Sequence, residues 1–321
     1  MKTGVYYSNN DIRIEERDIP KINDGEILMK TRACGICGTD LLEWYRKPKA
    51  PIILGHEACG EIVESKSKDY KQGMRIFASH HIPCNKCYYC LNGHHTSCEM
   101  LQVTNYDPGG FSEYIRLSRM NVDFGIYPLS DDISFEEGTL IEPLACVIRA
   151  QNLAKLEFKK SLLVIGCGVS GLLHIALAKM KGLFVAGMDI NEYRLNFAKK
   201  FKADTKFSSE KKFDCVILCS GNASAIDRAF SSIDRGGIIV FFAVPSPSEN
   251  VYFPITNLWR NEITIITSYG AAPKDLQDAL KVIKMIGVKE MITHRFHLSK
   301  IQDGFSVVQQ QGESIKVIIA L

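Results

Sequence analysis

The sequence predicts an α/β chain in two parts, a β-rich domain and a doubly wound parallel-sheet domain, on three observations. Up to about residue 145, apolar runs of strand length are broken by turn residues. From about residue 160, strand-like and helix-like runs alternate, the pattern of a parallel sheet covered by helices. A length of 321 residues with 46% hydrophobic content is enough to bury about two cores. The expected division is residues 1–147, residues 148–287, and a closing segment 288–321 that returns to the first domain.

In chain order, EILMKTRAC, GEIVES, MRIFAS and GFSEYIRL cluster or alternate apolar residues over strand lengths. The second texture begins with SLLVIG as a strand, VSGLLHIALAKM as a helix and LFVAGMD as a strand. It continues through the helix NEYRLNFAKKF, the strand DCVILCS, a helix from about Ala223, and the strands GGIIVFFAV and ITIITS. After the amphipathic KDLQDALKVIKMI come MITHRFHLSK and SIKVIIAL. The strand-like tail has no obvious place in the parallel sheet, which is why it is expected back in the first domain.

The first twenty residues lack a long apolar core, and no stretch reaches about 18 uncharged apolar residues. No export signal or membrane span is therefore expected, and the expected location is the cytoplasm. Eleven cysteines in such a chain read as reduced thiols and metal ligands, not as a disulfide framework. The net charge of +3 is unremarkable. The lysines at 199, 200, 202, 206, 211 and 212 read as solvated surface, so no nucleic-acid partner is expected.

Cys84, Cys87, Cys90 and Cys98 follow the spacing C-x2-C-x2-C-x7-C in a loop-like stretch. Four thiolates delivered by a short irregular segment can close a tetrahedral shell around Zn²⁺, a structural site with no open position. An iron–sulfur cluster is the rival, but the bacterial run continues x3-C-P, and here the last gap is seven with no proline after Cys98. His94 and His95 lie inside the loop, where a complete thiolate set leaves them no vacancy.

Between SLLVI and the helix that follows lies Gly166-Cys167-Gly168-Val169-Ser170-Gly171, a G-x-G-x-x-G with a strand before it and a helix after it. Gly166 would make the tight turn, Gly168 would let the backbone approach a pyrophosphate, and Gly171 would allow close helix packing, with Ser170 a further cofactor-binding candidate on the same loop. Asp189 ends the next strand, placed to accept hydrogen bonds from ribose hydroxyls and to repel a 2′-phosphate, so NAD is preferred to NADP. Arg194, five residues on, flanks the adenosine or lies on the helix surface.

CGICGTD at 34–40, GHE at 55–57 and IEPLAC at 141–146 complete the pattern. With the cysteine lobe and the dinucleotide unit, they resemble in order, over nearly the whole chain, the zinc-dependent alcohol, polyol and threonine dehydrogenases of the medium-chain dehydrogenase/reductase superfamily. The resemblance implies a GroES-like catalytic domain joined to a Rossmann domain, two Zn²⁺ per chain, reversible hydride transfer between a secondary alcohol and NAD, and a homodimer or homotetramer. It also implies that Cys37, His56 and either Glu57 or Glu142 hold the catalytic zinc. Thr39 would pass the substrate proton outward, Asp40 would orient His56, and Arg295 would lie near the substrate. Cys34 is expected to pack rather than ligate. Leu42 stands where many relatives carry a relay histidine, and Glu43 where polyol dehydrogenases often have a substrate-contacting tyrosine. The substrate would be a polyol, sugar or hydroxy-amino acid. Ketone reduction by the same chemistry, or a non-catalytic zinc- and nucleotide-binding module, are the other readings.

Overall fold

The computed structural model describes residues 1–243 and 245–321. These fall into two compact units, Met1–Pro143 with Ala271–Leu321, and Leu144–Gly270. The second boundary lies earlier than the expected 287/288. The helix Pro273–Val282, which the sequence placed with the nucleotide half, belongs to the first unit, and so does the turn-rich stretch behind it. Its amphipathic pattern shows that one face is buried but not which core receives it.

The first unit carries a large mixed sheet in the order Ile292–His297, Lys316–Ala320, Ile27–Gly35, Glu57–Ser65, Arg75–Ala78, Ile126–Pro128, with Tyr114–Leu117 also paired to Ile27–Gly35. A smaller sheet joins Asp11–Glu16, Lys2–Ser8 and Ile52–Ile53. The tail strand Lys316–Ala320 runs antiparallel to Ile27–Gly35 and so lies inside this sheet, between Ile27–Gly35 and Ile292–His297. Alternate residues of these strands, among them Ile27, Met29, Ile62, Ile76, Val317 and Ile319, fill one core with Phe111 and Phe305. Period-2 alternation puts them there: one face of each strand is apolar.

Leu144–Gly270 holds a five-stranded parallel sheet in the order Phe184–Met188, Ser161–Ile165, Phe213–Leu218, Ile233–Phe241, Thr264–Thr267. Its strands are buried runs such as Leu162, Leu163 and Val164, as expected for a sheet covered on both faces. Beyond Phe184–Met188 a sixth position survives only as a bridge between Ala186 and Asp204, with Gly187 N donating to Asp204 O at 2.9 Å and Asp204 N to Val185 O at 2.9 Å. Among the described residues, no helix is long and apolar enough to cross a membrane.

Candidate active site

Strand pairing assembles the first cluster. The antiparallel register sets Gly35 opposite Glu57 and Cys34 opposite Ala58, so the chain leaving one strand meets the chain entering the next. Cys37, His56 and Glu57 thereby offer ligand atoms that all lie within 4.8 Å of one another. After Cys37 the backbone turns into the short 3-10 helix Gly38–Leu41, and Asp40 reaches back to its start, where Cys37 N donates to Asp40 Oδ2 at 3.0 Å.

Asp40 is wholly buried, and its Oδ1 lies 3.3 Å from His56 Nδ1 and 3.7 Å from Arg46 Nη2. An imidazole held at Nδ1 by a carboxylate presents Nε2 to a metal. Burial pushes the Asp40 carboxyl up, but His56, Arg46 and the Cys37 N–H together hold it below the usual carboxylate range. Burial pushes the His56 imidazole down, and the Asp40 carboxylate and Cys37 overcome this to raise it well above its ordinary value. The pocket thus favours positive charge at the ring. Thr39 Oγ1 donates to Cys37 Sγ at 3.3 Å, and Arg46 Nε donates to the Thr39 carbonyl at 3.0 Å, fixing the turn.

Glu57 is buried and forms an ion pair with Lys316, each side chain 1% exposed. Lys316 Nζ also donates to Ile36 O at 3.1 Å. The second Glu57 oxygen, Oε1, is buried with no hydrogen-bond partner. A carboxylate costs free energy when left so, and a cation beside Cys37 and His56 would satisfy it. One thiolate, one imidazole and a bare carboxylate oxygen are a zinc donor set, so the residues present fit the metal that the sequence implies.

Glu142 lies in the first turn of Ile141–Leu153, outside this close group, although its charge is felt at Lys316 and at Tyr106. Arg295 sits on Ile292–His297 with its guanidinium clamped on Glu136, Nε to both carboxylate oxygens at 2.9 Å and Nη2 to Oε2 at 2.8 Å. It therefore faces a carboxylate of its own unit. Glu43 Oε1 accepts from Asn9 N at 3.1 Å. Cys34 is fully buried, and a Cβ on Gly55 or Gly110 would come within 2.9 Å of its sulfur. That is a packed thiol.

Sequence reasoning missed Lys316, Arg46 and a pair of imidazoles. His80 lies with its ring centroid 5.0 Å from that of His56 and 3.8 Å from that of His81. Burial drives both down, His81 to about 4, so they stand neutral beside the site. Only for Lys316 was there a sequence signal, a lysine opening the otherwise apolar run KVIIA.

The second cluster joins Cys84, Cys87, Cys90 and Cys98, whose sulfurs lie within 4.8 Å of one another. Cys87 precedes the helix Tyr88–Leu91 and Cys98 precedes Glu99–Val103, so two short helices turn the thiols inward. Cys84 N points at Cys98 Sγ and Cys87 N at Cys84 Sγ, both at 3.3 Å. Amides aimed at sulfur stabilise thiolates, and the Cys84 thiol is accordingly lowered, chiefly by the Lys86 N–H. The four thiols fit zinc without further ligands.

In the other unit the glycine loop links Ser161–Ile165 to the helix Val169–Met180. Gly166 has φ +95°, the left-handed region that glycine adopts without strain, and a Cβ there would press on Cys219. A Cβ on Gly171 would fall 1.9 Å from Gly166 O, so helix and loop touch. A Cβ on Gly168 would meet nothing, leaving open space over the uncapped helix start near Ser170. Asp189 bridges this loop to the next: Oδ2 accepts from Cys167 N at 2.7 Å and Oδ1 from Asn191 N at 2.8 Å. Arg194 lies in the first turn of Glu192–Lys200, where its N–H donates to the capping Asn191 Oδ1 at 3.3 Å. Loop, helix start and acidic strand end are the parts of a dinucleotide site.

The sequence matches the profile of the alcohol dehydrogenase GroES-like domain over residues 23–123 and that of the zinc-binding dehydrogenase domain over residues 170–285. It is 30% identical to a sorbitol dehydrogenase of Bacillus subtilis (strain 168), over 99% of this chain and 97% of that protein. It is 32% identical to an alcohol dehydrogenase of Geobacillus stearothermophilus, over 91% of each. A Sinorhizobium meliloti 1021 protein solved with NADP bound superposes with TM-score 0.88 at 25% identity, covering 100% of this chain and 99% of that one. The L-idonate 5-dehydrogenase of Escherichia coli K-12 shares the fold, with TM-score 0.88 at 21% identity over 100% and 98% of the two chains.

Proposed function

The chain belongs to the zinc-dependent medium-chain dehydrogenases, and on that premise we propose that it oxidises a polyol, sugar or hydroxy-amino acid at a secondary carbinol, with NAD as hydride acceptor. The observation that carries the proposal is the group Cys37, His56 and Glu57 with its bare buried carboxylate oxygen, backed by Asp40 and by the Thr39 hydroxyl. Zinc held there supplies a Lewis acid for the substrate oxygen. NAD held at the glycine loop and Asp189 would supply the hydride acceptor, so that loss of the carbinol hydrogen as hydride and of the hydroxyl proton would leave a carbonyl.

The residues of the chain manage the rest. Asp40 keeps the His56 ring oriented, and its charge is contained by Arg46. Thr39, whose hydroxyl now donates to Cys37, can turn to take the substrate proton. With Leu42 unable to continue a relay, that proton leaves by another route. Glu142, in the first turn of its helix, is a candidate fourth contributor. Arg295 is assigned to the margin of the substrate site, where releasing Glu136 would free its fork for hydroxyls. Gly166, Gly168, Ser170 and Gly171 would hold the pyrophosphate, Asp189 the ribose and Arg194 the adenosine edge; Asp189 favours NAD over NADP by repelling a 2′-phosphate.

Relatives named for sorbitol, threonine and D-xylulose support the substrate class. Thr264–Thr267 ends the parallel sheet as an edge strand, and exposed Tyr252, Ile255 and Trp259 lie in the same unit, which supports a homodimer or homotetramer. Eleven free thiols support a cytoplasmic address.

The test is NADH absorbance with NAD or NADP and a panel of polyols, sugars, secondary alcohols and threonine, with and without a zinc chelator. Chelator-sensitive reduction of NAD by a member of the panel is expected. Turnover that survives removal of zinc, or a preference for NADP, would overturn the corresponding part of the proposal.

A further inference from the structure

The turn that carries Thr39 and Asp40 continues through Leu42 into the short helix Glu43–Arg46 and the 3-10 helix Lys47–Lys49. Arg46 has the task of holding Asp40 and the Thr39 carbonyl, but Tyr45, Lys47 and Lys49 have none in the chemistry assigned so far. Two cations converge there on one ring: Lys49 Nζ lies 3.5 Å, and Arg46 Cζ 4.8 Å, from the centroid of Tyr45. The phenol face attracts each of them, but they repel one another. No acid offsets them: among the described residues neither Lys47 nor Lys49 forms an ion pair, Asp40 is buried and shared with His56, and Glu43 is turned to Asn9 N at 3.1 Å. Lys49 first, and Arg46 with it, hold the Tyr45 hydroxyl below its ordinary value against partial burial, the mark of positive charge in excess. The group is open to a ligand, with Trp44, Tyr45, Lys47 and Lys49 all exposed. It is also close to the reacting centre. Arg46 Nε donates to the Thr39 carbonyl at 3.0 Å and the Thr39 hydroxyl to Cys37 Sγ at 3.3 Å. Burial first, with the Arg46 charge among the lesser causes, keeps His80 and His81 neutral beside His56, so they add no counter-charge.

We propose that Arg46, Tyr45 and Lys49 form an anion subsite that takes a phosphate group carried by the substrate, which makes that substrate a phosphate monoester of a polyol. The inference rests on the dehydrogenase reading above and narrows its substrate class. The hydroxyls of a neutral polyol ask for donors and acceptors but not for unpaired cations beside the turn that carries Thr39. A phosphate monoester carries about two negative charges at neutral pH and three terminal oxygens. The Arg46 fork, the Lys49 ammonium and the Tyr45 hydroxyl offer one donor group to each oxygen, and charge-assisted bonds of this kind are the strong ones. A carboxylate, with one charge and two oxygens, would leave part of this set idle.

The segment carries its own reporter. The chain has two tryptophans, Trp44 and Trp259, so Trp259→Phe leaves Trp44, whose ring centroid is 5.7 Å from that of Tyr45, as the one tryptophan fluorophore. The zinc-loaded Trp259→Phe protein is titrated, without NAD, with sorbitol 6-phosphate, sorbitol and gluconate. The phosphate ester is expected to change Trp44 emission and to bind about tenfold or more tighter than sorbitol or gluconate, the scale of one charge-assisted hydrogen bond. Lys49→Gln in the same background should close most of that gap and Lys49→Arg should keep it. Equal binding of ester and parent polyol, a gap that Lys49→Gln leaves intact, or gluconate bound as tightly as the ester overturns the proposal. So does an ester signal that NAD alone reproduces and then blocks, which would give the subsite to the pyrophosphate of the cofactor. In turnover with NAD the ester should exceed sorbitol in kcat/KM, and the reverse order overturns the proposal as well. Zinc-loaded protein that binds the ester through Lys49 but reduces no NAD with ester or sorbitol would instead overturn the polyol reading above.

Discussion

Asp40 touches the candidate site at two places, the Cys37 amide and the His56 ring, from a fully buried position. Its loss should therefore be felt through the metal. Asp40→Asn is expected to lower zinc affinity by about 10–100-fold, measured as metal content after dialysis against a graded chelator, with the thermal unfolding of the nucleotide unit unchanged. Cys37→Ser or His56→Ala removes a ligand outright. If bound zinc contributes several kcal/mol to the reaction, kcat/KM should fall by about a thousandfold or more, with circular dichroism still native. At this scale the sequence was legible where a residue sits in a short local pattern: Cys37 and Asp40 three apart on a turn, and His56 beside Glu57. Lys316 showed only as a lysine opening an apolar run, and its pairing was not legible, because its partner is 259 positions away and only strand register brings the two together. Arg295 matched a motif position, but its contact with Glu136, 159 positions away, was equally invisible.

Among the elements, the long periodic ones announced themselves. Ser161–Ile165, Val169–Met180 and Phe184–Met188 follow the run of apolar residues closely because burial on both faces of the sheet leaves little latitude. The clustering of the four cysteines was legible through spacing alone, while the helices of that loop, Tyr88–Leu91 and Glu99–Val103, are too short to carry a period. The lobe has a small core, Cys90, Cys98 and Leu101, so its order should depend on the ion. Cys98→Ser is expected to reduce bound zinc from two to one per chain and to make the loop the first site of limited proteolysis. At the start of the parallel sheet, Asp214 accepts from Lys160 N and Ser161 N at 2.9 Å and from Ser161 Oγ at 3.0 Å. Partial burial pushes its carboxyl up, but these donors hold it below the usual range. A depressed folded value means that the stabilisation is complete above the unfolded value near 3.9 and disappears as pH falls through the folded one. Asp214→Asn should cost about 1 kcal/mol near neutral pH and flatten the acid limb of melting temperature against pH; an unchanged acid limb would refute the assignment.

For the molecule as a whole, the candidate sites predict that two kinds of ligand should stabilise two different units. NADH at about 100 times its Kd should add about 2.7 kcal/mol to the unit that binds it, while a chelator should act on the other. Differential scanning calorimetry with each in turn should therefore move transitions unequally, and NADPH should shift less than NADH if Asp189 selects as assigned. The two-part architecture was readable from the change of texture near residue 145, but the return point was not, since Pro273–Val282 is amphipathic in either home. The tail strand imposes an order on synthesis. Leu144–Gly270 is one continuous stretch of chain and can close as soon as it has been made. The catalytic unit has to wait, its sheet open between Ile27–Gly35 and Ile292–His297 until Lys316–Ala320 has been translated. A ribosome-bound chain stalled before that strand would have the dinucleotide fold in place, with Glu57 still lacking its counter-charge, so the candidate metal cluster is completed only after that strand has been made.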